Sequence, residues 1–385
     1  MKPRPIYMDN NSTTRVDPRV LDAMLPYFCE EYGNAASITH LFGSKAGEAV
    51  ESARAQIAKL LHVDSKGIVF TSGATESNNT ALKGIMWASK PGSHLIVNAA
   101  EHKAVLDPAK ALEREGYEVT VLPVDQYGMV DPQQVADAIR SNTVLVSVMY
   151  ANNEVGSINP VSEIGEICHG RNVLFHTDAT QAIGKVPADL SKRAVDLFSF
   201  SAHKMYGPKG IGALFVRRGS PRIKIEALLE GGGHERRIRS GTLPVPLIVG
   251  FGTACGICAV ECDTEIQRVG ELRDRLWQEL ASRIDGIGLN GHPEKRLAGN
   301  ANITFPDVNS DALMMHLREV VSVSSGSACT SADPEPSHVL AAMGISGSRI
   351  KSTIRFGLGR FNSAAEVDAV VRAVVETVLE LRKLT

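Results

Sequence analysis

The chain reads as an α/β protein with a mainly parallel sheet covered by helices on both faces. Three features predict this: seven short apolar runs between positions 67 and 216, helical apolar stripes between several of them, and polar or glycine-rich residues where the runs end. The runs are IVFT (68–71), LIV (95–97), VTVL (119–122), VLVSVM (144–149), VLFHT (173–177), LFSF (197–200) and GALFV (212–216). Ahead of the first, Ala46, Ala49, Val50, Ala53, Ile57, Leu60 and Leu61 share one helical stripe. Asp131-Pro132 starts another helix, with Val135, Ala138 and Ile139 on its apolar side. Strands that alternate with helices in this way lie parallel and are buried on both faces. Ligands of such sheets collect at the C-terminal ends of the strands.

Beyond position 231 the character changes. The glycine-rich connection GGGHERRIRSGT (231–242) leads into a long helical region, where Val269, Leu272, Leu276, Leu280 and Ile284 recur at helical spacing. A second, smaller α/β unit follows, closed by a helix over 364–384. A length of 385 residues exceeds what one hydrophobic core usually serves. The expected division is a large domain of residues 14–260 and a small one combining 1–13 with 261–385.

The composition, 43% hydrophobic and 22% charged, is that of a globular enzyme. A formal net charge of −2 favours neither nucleic acid nor an acidic membrane surface as main partner. MKPRPIYMDNN lacks the apolar segment of a signal peptide, and no run reads as a bilayer span. The expectation is a cytoplasmic protein whose six cysteines are reduced. Cys255, Cys258 and Cys262, at i, i+3 and i+7, could face a metal from one side of a helix; they read instead as small packing residues, and no metal site is expected.

Three strand ends carry groups with chemical potential. VFTSGATES (69–77) is a small, glycine-containing turn at a helix start, either an ordinary cap or a phosphate cradle to which Thr75 adds a hydroxyl. Asp178, in HTDATQAIGK (176–185), either caps the next helix or meets a cationic partner such as a protonated pyridine nitrogen. Lys204, in FSFSAHKMYGPKGIG (198–212), is either a solvated loop lysine or an amine that forms a Schiff base. A phosphate cradle, an acidic partner for a ring nitrogen and a Schiff-base lysine are together what pyridoxal 5'-phosphate requires.

From YMDNNSTTRVDPRV (7–20) to FGLGRF (356–361) the chain resembles class V, fold-type I pyridoxal-phosphate enzymes, specifically cysteine desulfurases of the NifS/IscS kind. FTSGATESNN, EHKAVL, ANNEVG, HTDATQAIGK, SAHKMYGPKGIGAL, GGGHERRIRSGT and SSGSACTS carry the resemblance in order. It implies the aspartate-aminotransferase-like fold and these roles. Lys204 holds the cofactor and removes the Cα proton. Asp178 pairs with the ring nitrogen, while Asn153 and Gln181 meet the ring's phenolic oxygen. His102 stacks on the ring and moves protons. Ala74, Thr75, Ser201 and His203 surround the phosphate, and Thr242 reaches the phosphate of the other subunit of a homodimer. Arg355 and Asn153 bind the L-cysteine substrate, with Arg355 clamping its carboxylate.

Cys329 lies in SVSSGSACTSADPEPSH (322–338), a segment of small residues without helical periodicity that matches the family's nucleophile loop. The resemblance makes it the thiol that takes the substrate's sulfur as a persulfide, leaving alanine, and passes it to an iron–sulfur scaffold or another acceptor protein. No cation within the segment accounts for its activation, and His102 is one candidate. Three departures stand out: Ala202 in SAHK where SGHK is usual, Ala35 in GNAAS where proline is usual, and an ending at LRKLT without the extended tail of IscS-type members. The last, with DNNSTT, places the chain nearer the NifS type. An aminotransferase or selenocysteine lyase of the same fold, and a silent docking subunit, are the competing readings.

Overall fold

The computed structural model describes residues 4–187, 194–325 and 336–384. Its strands are β1 (Ile6–Tyr7), β2 (Ile68–Thr71), β3 (His94–Asn98), β4 (Glu118–Leu122), β5 (Thr143–Ser147), β6 (Leu174–Asp178), β7 (Leu197–Ser201), β8 (Gly212–Val216), β9 (Gly288–Asn290), β10 (Asn300–Thr304), β11 (Val321–Ser322) and β12 (Thr353–Gly357). The helices are α1 (Pro18–Met24), α2 (Pro26–Cys29), α3 (Leu41–Leu61), α4 (Ala74–Trp87), α5 (Lys103–Arg114), α6 (Pro132–Ala138), α7 (Val161–Gly170), α8 (Val245–Ala281), α9 (Ser310–Leu317), α10 (His338–Ala342), α11 (Gly347–Ile350) and α12 (Ala364–Arg382).

All seven apolar runs become strands of one sheet, in the order β2-β8-β7-β6-β5-β3-β4. Only β8 runs against its neighbours. One run is shorter than expected: VLVSVM stays regular only to Ser147. Val148 N and Tyr150 N still donate to β6, but Met149 N turns to the Glu101 carboxylate at 2.5 Å, which breaks the pairing.

Alternate residues of the strands feed two different cores. Phe70, Phe175, Phe198, Phe200 and Phe215 pack with α3, α7 and the first half of α8. Val69, Leu95, Val97, Leu145, Leu197 and Leu214 pack with α4 and α5 on the other face. The α3 stripe is buried at Ala46, Val50, Ala53, Ile57 and Leu61, with Ala49 and Leu60 packed at its border. Asp131 caps α6, its side chain accepting from Gln133 N.

A third core gathers Met8, β10, α9, β12, α12 and the second half of α8, including Val269, Leu272, Leu276 and Leu280. Its sheet has the order β12-β10-β9, and β1 joins β11 beside it, so the N-terminal arm belongs to this unit. Helix α8 has 37 residues, a rod of about 55 Å that runs unbroken through position 260 into both units. By length and composition it is apolar enough to cross a membrane, a helix that the sequence expectation overlooked. In this fold its apolar positions Ile248, Phe251 and Cys255 are buried against the large core, and Ala254 packs with Val20 and Met24 of α1. Gly252 permits the contact with α3, since a Cβ there would lie 2.6 Å from Ala53.

Candidate active site

A cavity of about 460 Å³ opens where the C-terminal ends of β2, β5, β6 and β7 meet the second unit. Its floor begins at the turn from β2 into α4. Gly73 is the N-cap and has no side chain to occupy the first N–H groups of the helix, which point to an anion site at Ala74 and Thr75. Gly212, at the start of β8, lets that turn lie flat on the sheet: a Cβ there would stand 2.7 Å from both Gly73 Cα and Phe200 O. Ser201, at the end of β7, and His203 line the same end of the cavity. Burial, reinforced by Lys204, Lys209 and Lys185, pushes His203 down to about 4, and its Nδ1 shares a hydrogen bond of 3.0 Å with Thr13 Oγ1.

Asp178 ends β6 and is buried. One carboxylate oxygen accepts from Asn78 Nδ2 at 2.7 Å, the other from Thr180 N at 2.9 Å. Two fixed donors orient the group, which lines the cavity and can meet a cationic ring nitrogen there. Lys204 Nζ donates to Asn11 O at 2.7 Å and Ser12 O at 2.5 Å. Gln181 is buried beside it and donates from Nε2 to Asn11 O at 2.8 Å.

His102 is the N-cap of α5 and accepts at Nδ1 from Ala104 N, 3.0 Å away. Burial lowers its affinity for a second proton, with Lys204 adding to the effect and Asp178 opposing it. The neutral ring therefore carries its hydrogen on Nε2.

Arg355 comes from β12 in the second unit and is buried to 2% exposure. Its Nη1 donates to Asn153 O at 2.9 Å, and its Nη2 to Asp9 Oδ1 (2.8 Å), Ser12 Oγ (2.7 Å) and Ser324 Oγ (2.7 Å). The half-buried Asn153 lines the cavity from the loop after β5. Cys329 lies outside the described residues. Of its flanking segments, Ser324 is bound to Arg355 and Asp9, while Ser337 Oγ donates to Glu154 Oε2 at 2.5 Å.

The fold thus collects Ala74, Thr75, His102, Asn153, Asp178, Gln181, Ser201, His203, Lys204 and Arg355 around one space. Thr242 is exposed and does not line this cavity. Cys255 and Cys258 are buried, Cys262 is half-buried, and burial raises all three thiols, to about 12 for Cys258 and about 11 for Cys262. Among the described residues no cluster fit to hold a metal occurs.

Sequence reasoning left several site residues unassigned. Asn78, Asn11, Asp9 and Ser12 stand inside motifs already singled out, yet no spacing rule connects them to Asp178 or Arg355. Glu101 is another: fully buried, its Oε1 accepts from Met149 N and Asn98 Nδ2, and burial pushes its carboxyl well above the usual range. The residue type beside His102 was the only available signal.

The donor set fits pyridoxal phosphate. Asn78 Oδ1, Thr180 Oγ1 and Arg355 Nε are buried with no hydrogen-bond partner among the described residues, and all three residues line the cavity. A ligand with matching polar groups would satisfy them.

Comparison with known proteins agrees. The family model described as aminotransferase class-V matches residues 6–370. Cysteine desulfurase IscS of Anaeromyxobacter dehalogenans (strain 2CP-C) is 54% identical over 382 residues, 99% of this chain and 94% of that protein. Cysteine desulfurase of Homo sapiens is 48% identical over 384 residues, 99% of this chain and 83% of that one. A solved NifS-like protein superposes with a TM-score of 0.90 at 38% identity, covering 97% of this chain and 98% of its own. The structure of SspA in complex with cysteine gives 0.82 at 35% identity, covering 93% and 100%. These relatives do not favour the aminotransferase, selenocysteine lyase or docking-subunit readings. The chain belongs to the class-V aminotransferase family, and within it to the pyridoxal-phosphate-dependent cysteine desulfurases of the NifS/IscS group.

Proposed function

We propose that the chain takes sulfur from L-cysteine onto Cys329 as a persulfide, releases L-alanine, and hands the sulfur to an acceptor protein such as an iron–sulfur scaffold. The observation that carries this reading is the single cavity that unites Lys204, Asp178, His102 and Arg355 from two different units.

Pyridoxal phosphate supplies an electron sink for the pair released when the Cα–H bond of the substrate breaks. The protein does the rest. The α4 N-terminus, Thr75, Ser201 and His203 hold the phosphate, and Asp178 takes the ring N–H, aimed by Asn78 and Thr180. Gln181 and Asn153 serve the ring oxygen. Arg355 receives the substrate carboxylate through its Nε, which has no partner among the described residues, while Asp9, Ser12 and Asn153 O keep the guanidinium in place. Lys204 anchors the cofactor and then removes the Cα proton, and His102 is the second acid–base group. The Cys329 thiolate attacks the substrate sulfur. An S–S bond forms as the Cβ–S bond breaks, and the electron pair left on Cβ is quenched by a proton to give alanine.

A homodimer fits the exposed apolar side chains of Leu21, Leu25, Phe28, Tyr32, Ile38 and Phe42, which lie within one stretch of the chain. The exposed Thr242 would then complete the phosphate site of the second copy. The cytoplasm, where free thiols persist, suits a persulfide carrier.

The deciding experiment pairs alanine and persulfide assays with an absorbance spectrum. Lys204→Ala is expected to lose alanine formation at least 10³-fold. Cys329→Ser should keep the cofactor's visible band and form no protein persulfide. A Cys329→Ser enzyme that still accumulates bound persulfide would overturn the assignment.

A further inference from the structure

Gln181 is the one ring-oxygen candidate whose amide can be read from both ends. Its Nε2 donates to Asn11 O at 2.8 Å, and its Oε1 accepts from Lys185 Nζ at 2.8 Å and from Asn11 Nδ2 at 3.5 Å. The ammonium form of lysine only donates, so the opposite orientation of the amide would set two donors against each other at Lys185, and in either form it would set two acceptors against each other at Asn11 O. Asn11 O is also the acceptor for Lys204 Nζ, which ties the amide to the anchoring lysine.

We propose that Lys185 is a positioning residue of the cofactor site: by occupying Gln181 Oε1 it turns the Gln181 NH₂ toward the cavity, where that group donates to the cofactor's ring oxygen. This rests on the placement of Gln181 beside that oxygen. A buried ring oxygen that carries negative charge needs a donor and is destabilised by a carbonyl in the same position.

The surroundings of Lys185 suit this task better than an ion pair. The half-buried side chain lines a second cavity of about 520 Å³, bordered by Pro160, Val186 and Arg296. Burial first, then the cations Lys204 and Arg355, push its ammonium down to about 7, against the opposing pull of Glu265 and Cys258. A lysine held there at such a cost is retained for its hydrogen bond. Its loss removes a positive charge near Lys204 and frees Gln181 to rotate, and both changes favour the protonated form of the Lys204–cofactor linkage.

The test uses the holoenzyme and follows the pH midpoint of the cofactor's visible band together with the dissociation constant of pyridoxal phosphate. Lys185→Met is expected to raise the midpoint by ~0.5 unit or more and to weaken cofactor binding several-fold. Lys185→Arg, also a pure donor, should restore the parent midpoint. Lys185→Met in a Gln181→Ala background should shift the midpoint by clearly less than Lys185→Met does alone, the remainder being the direct loss of charge near Lys204. If Lys185→Met does not fold, Lys185→Leu, which also lacks a donor, replaces it with the same expected direction. A parent-like midpoint in the Lys185 variant, or fully additive shifts, would overturn the role of Lys185 alone. If Gln181→Ala itself leaves the midpoint unmoved, the placement of Gln181 at the ring oxygen fails, and the role of Lys185 fails with it.

Discussion

His176 stands two residues before Asp178 on the same face of β6, wholly buried. Its ring is held between hydroxyls of the two flanking strands, Ser147 Oγ at 2.8 Å from Nδ1 and Ser199 Oγ at 3.0 Å from Nε2. Burial pushes its pKa down to about 4, and Asp178 only partly opposes this. The folded protein therefore keeps the ring neutral at pH values where an unfolded chain would protonate it. Above pH 6.5 both states are neutral and nothing is lost. As pH falls from 6.5 toward 4 the unfolded state binds the extra proton, so stability falls, by up to about 3 kcal/mol for this group. His176→Gln removes the titration. Urea midpoints of parent and variant at pH 7 and pH 4.5 are expected to show the variant losing about 1–3 kcal/mol less over that interval; equal losses would mean that His176 protonates in place.

At the level of elements, the turn from Glu235 to Arg237 is unusual. Three consecutive non-glycine residues have positive φ: 45° at Glu235, 57° at Arg236 and 68° at Arg237. A left-handed conformation costs an L-residue roughly 1 kcal/mol each time. The turn is held by Glu235, whose buried carboxylate meets Arg54 of α3 at 2.8 Å and accepts from Phe70 N of β2 at 2.7 Å. Removing one partner of such a buried pair typically costs about 3–5 kcal/mol, because the other charge is left buried and unpaired. Arg237 is exposed, and none of its side-chain groups takes part in this clasp. Arg237→Gly is therefore expected to raise stability by about 0.5–1 kcal/mol, read as a higher denaturant midpoint at unchanged slope. A drop would show that the arginine side chain matters more than its backbone.

For the whole molecule, the active site exists only because two units meet. Asp178, Lys204 and Gln181 arrive from the seven-stranded sheet, while Arg355 arrives from β12 and is fixed by Asp9 and Ser12 of the N-terminal arm. The proposed homodimer would extend the same logic to a second copy of the chain. Light scattering of the holoenzyme is expected to give about twice the chain mass of 41.3 kDa. Replacing both Leu25 and Phe28 by Glu should shift it toward one chain, since buried like charges without partners are costly. A parent that scatters as one chain would place Thr242 outside any cofactor site.

Much of this protein was legible in its sequence. Apolar runs of strand length, separated by helical stripes, specify a layered α/β fold because burial on both faces leaves few other ways to hide them. Glycine, aspartate and lysine at the run ends marked the side on which the cavity opens, since loops at one edge of a parallel sheet share one space. Tertiary structure decided what periodicity cannot encode. It brought Arg355 some 150 positions along the chain to Lys204, recruited Asn78 and Asn11 as hydrogen-bond partners, and turned Glu101 and Lys185 inward. Hydrogen bonds of that kind depend on distances between strand ends and between two cores, and those distances are fixed only when the chain has packed.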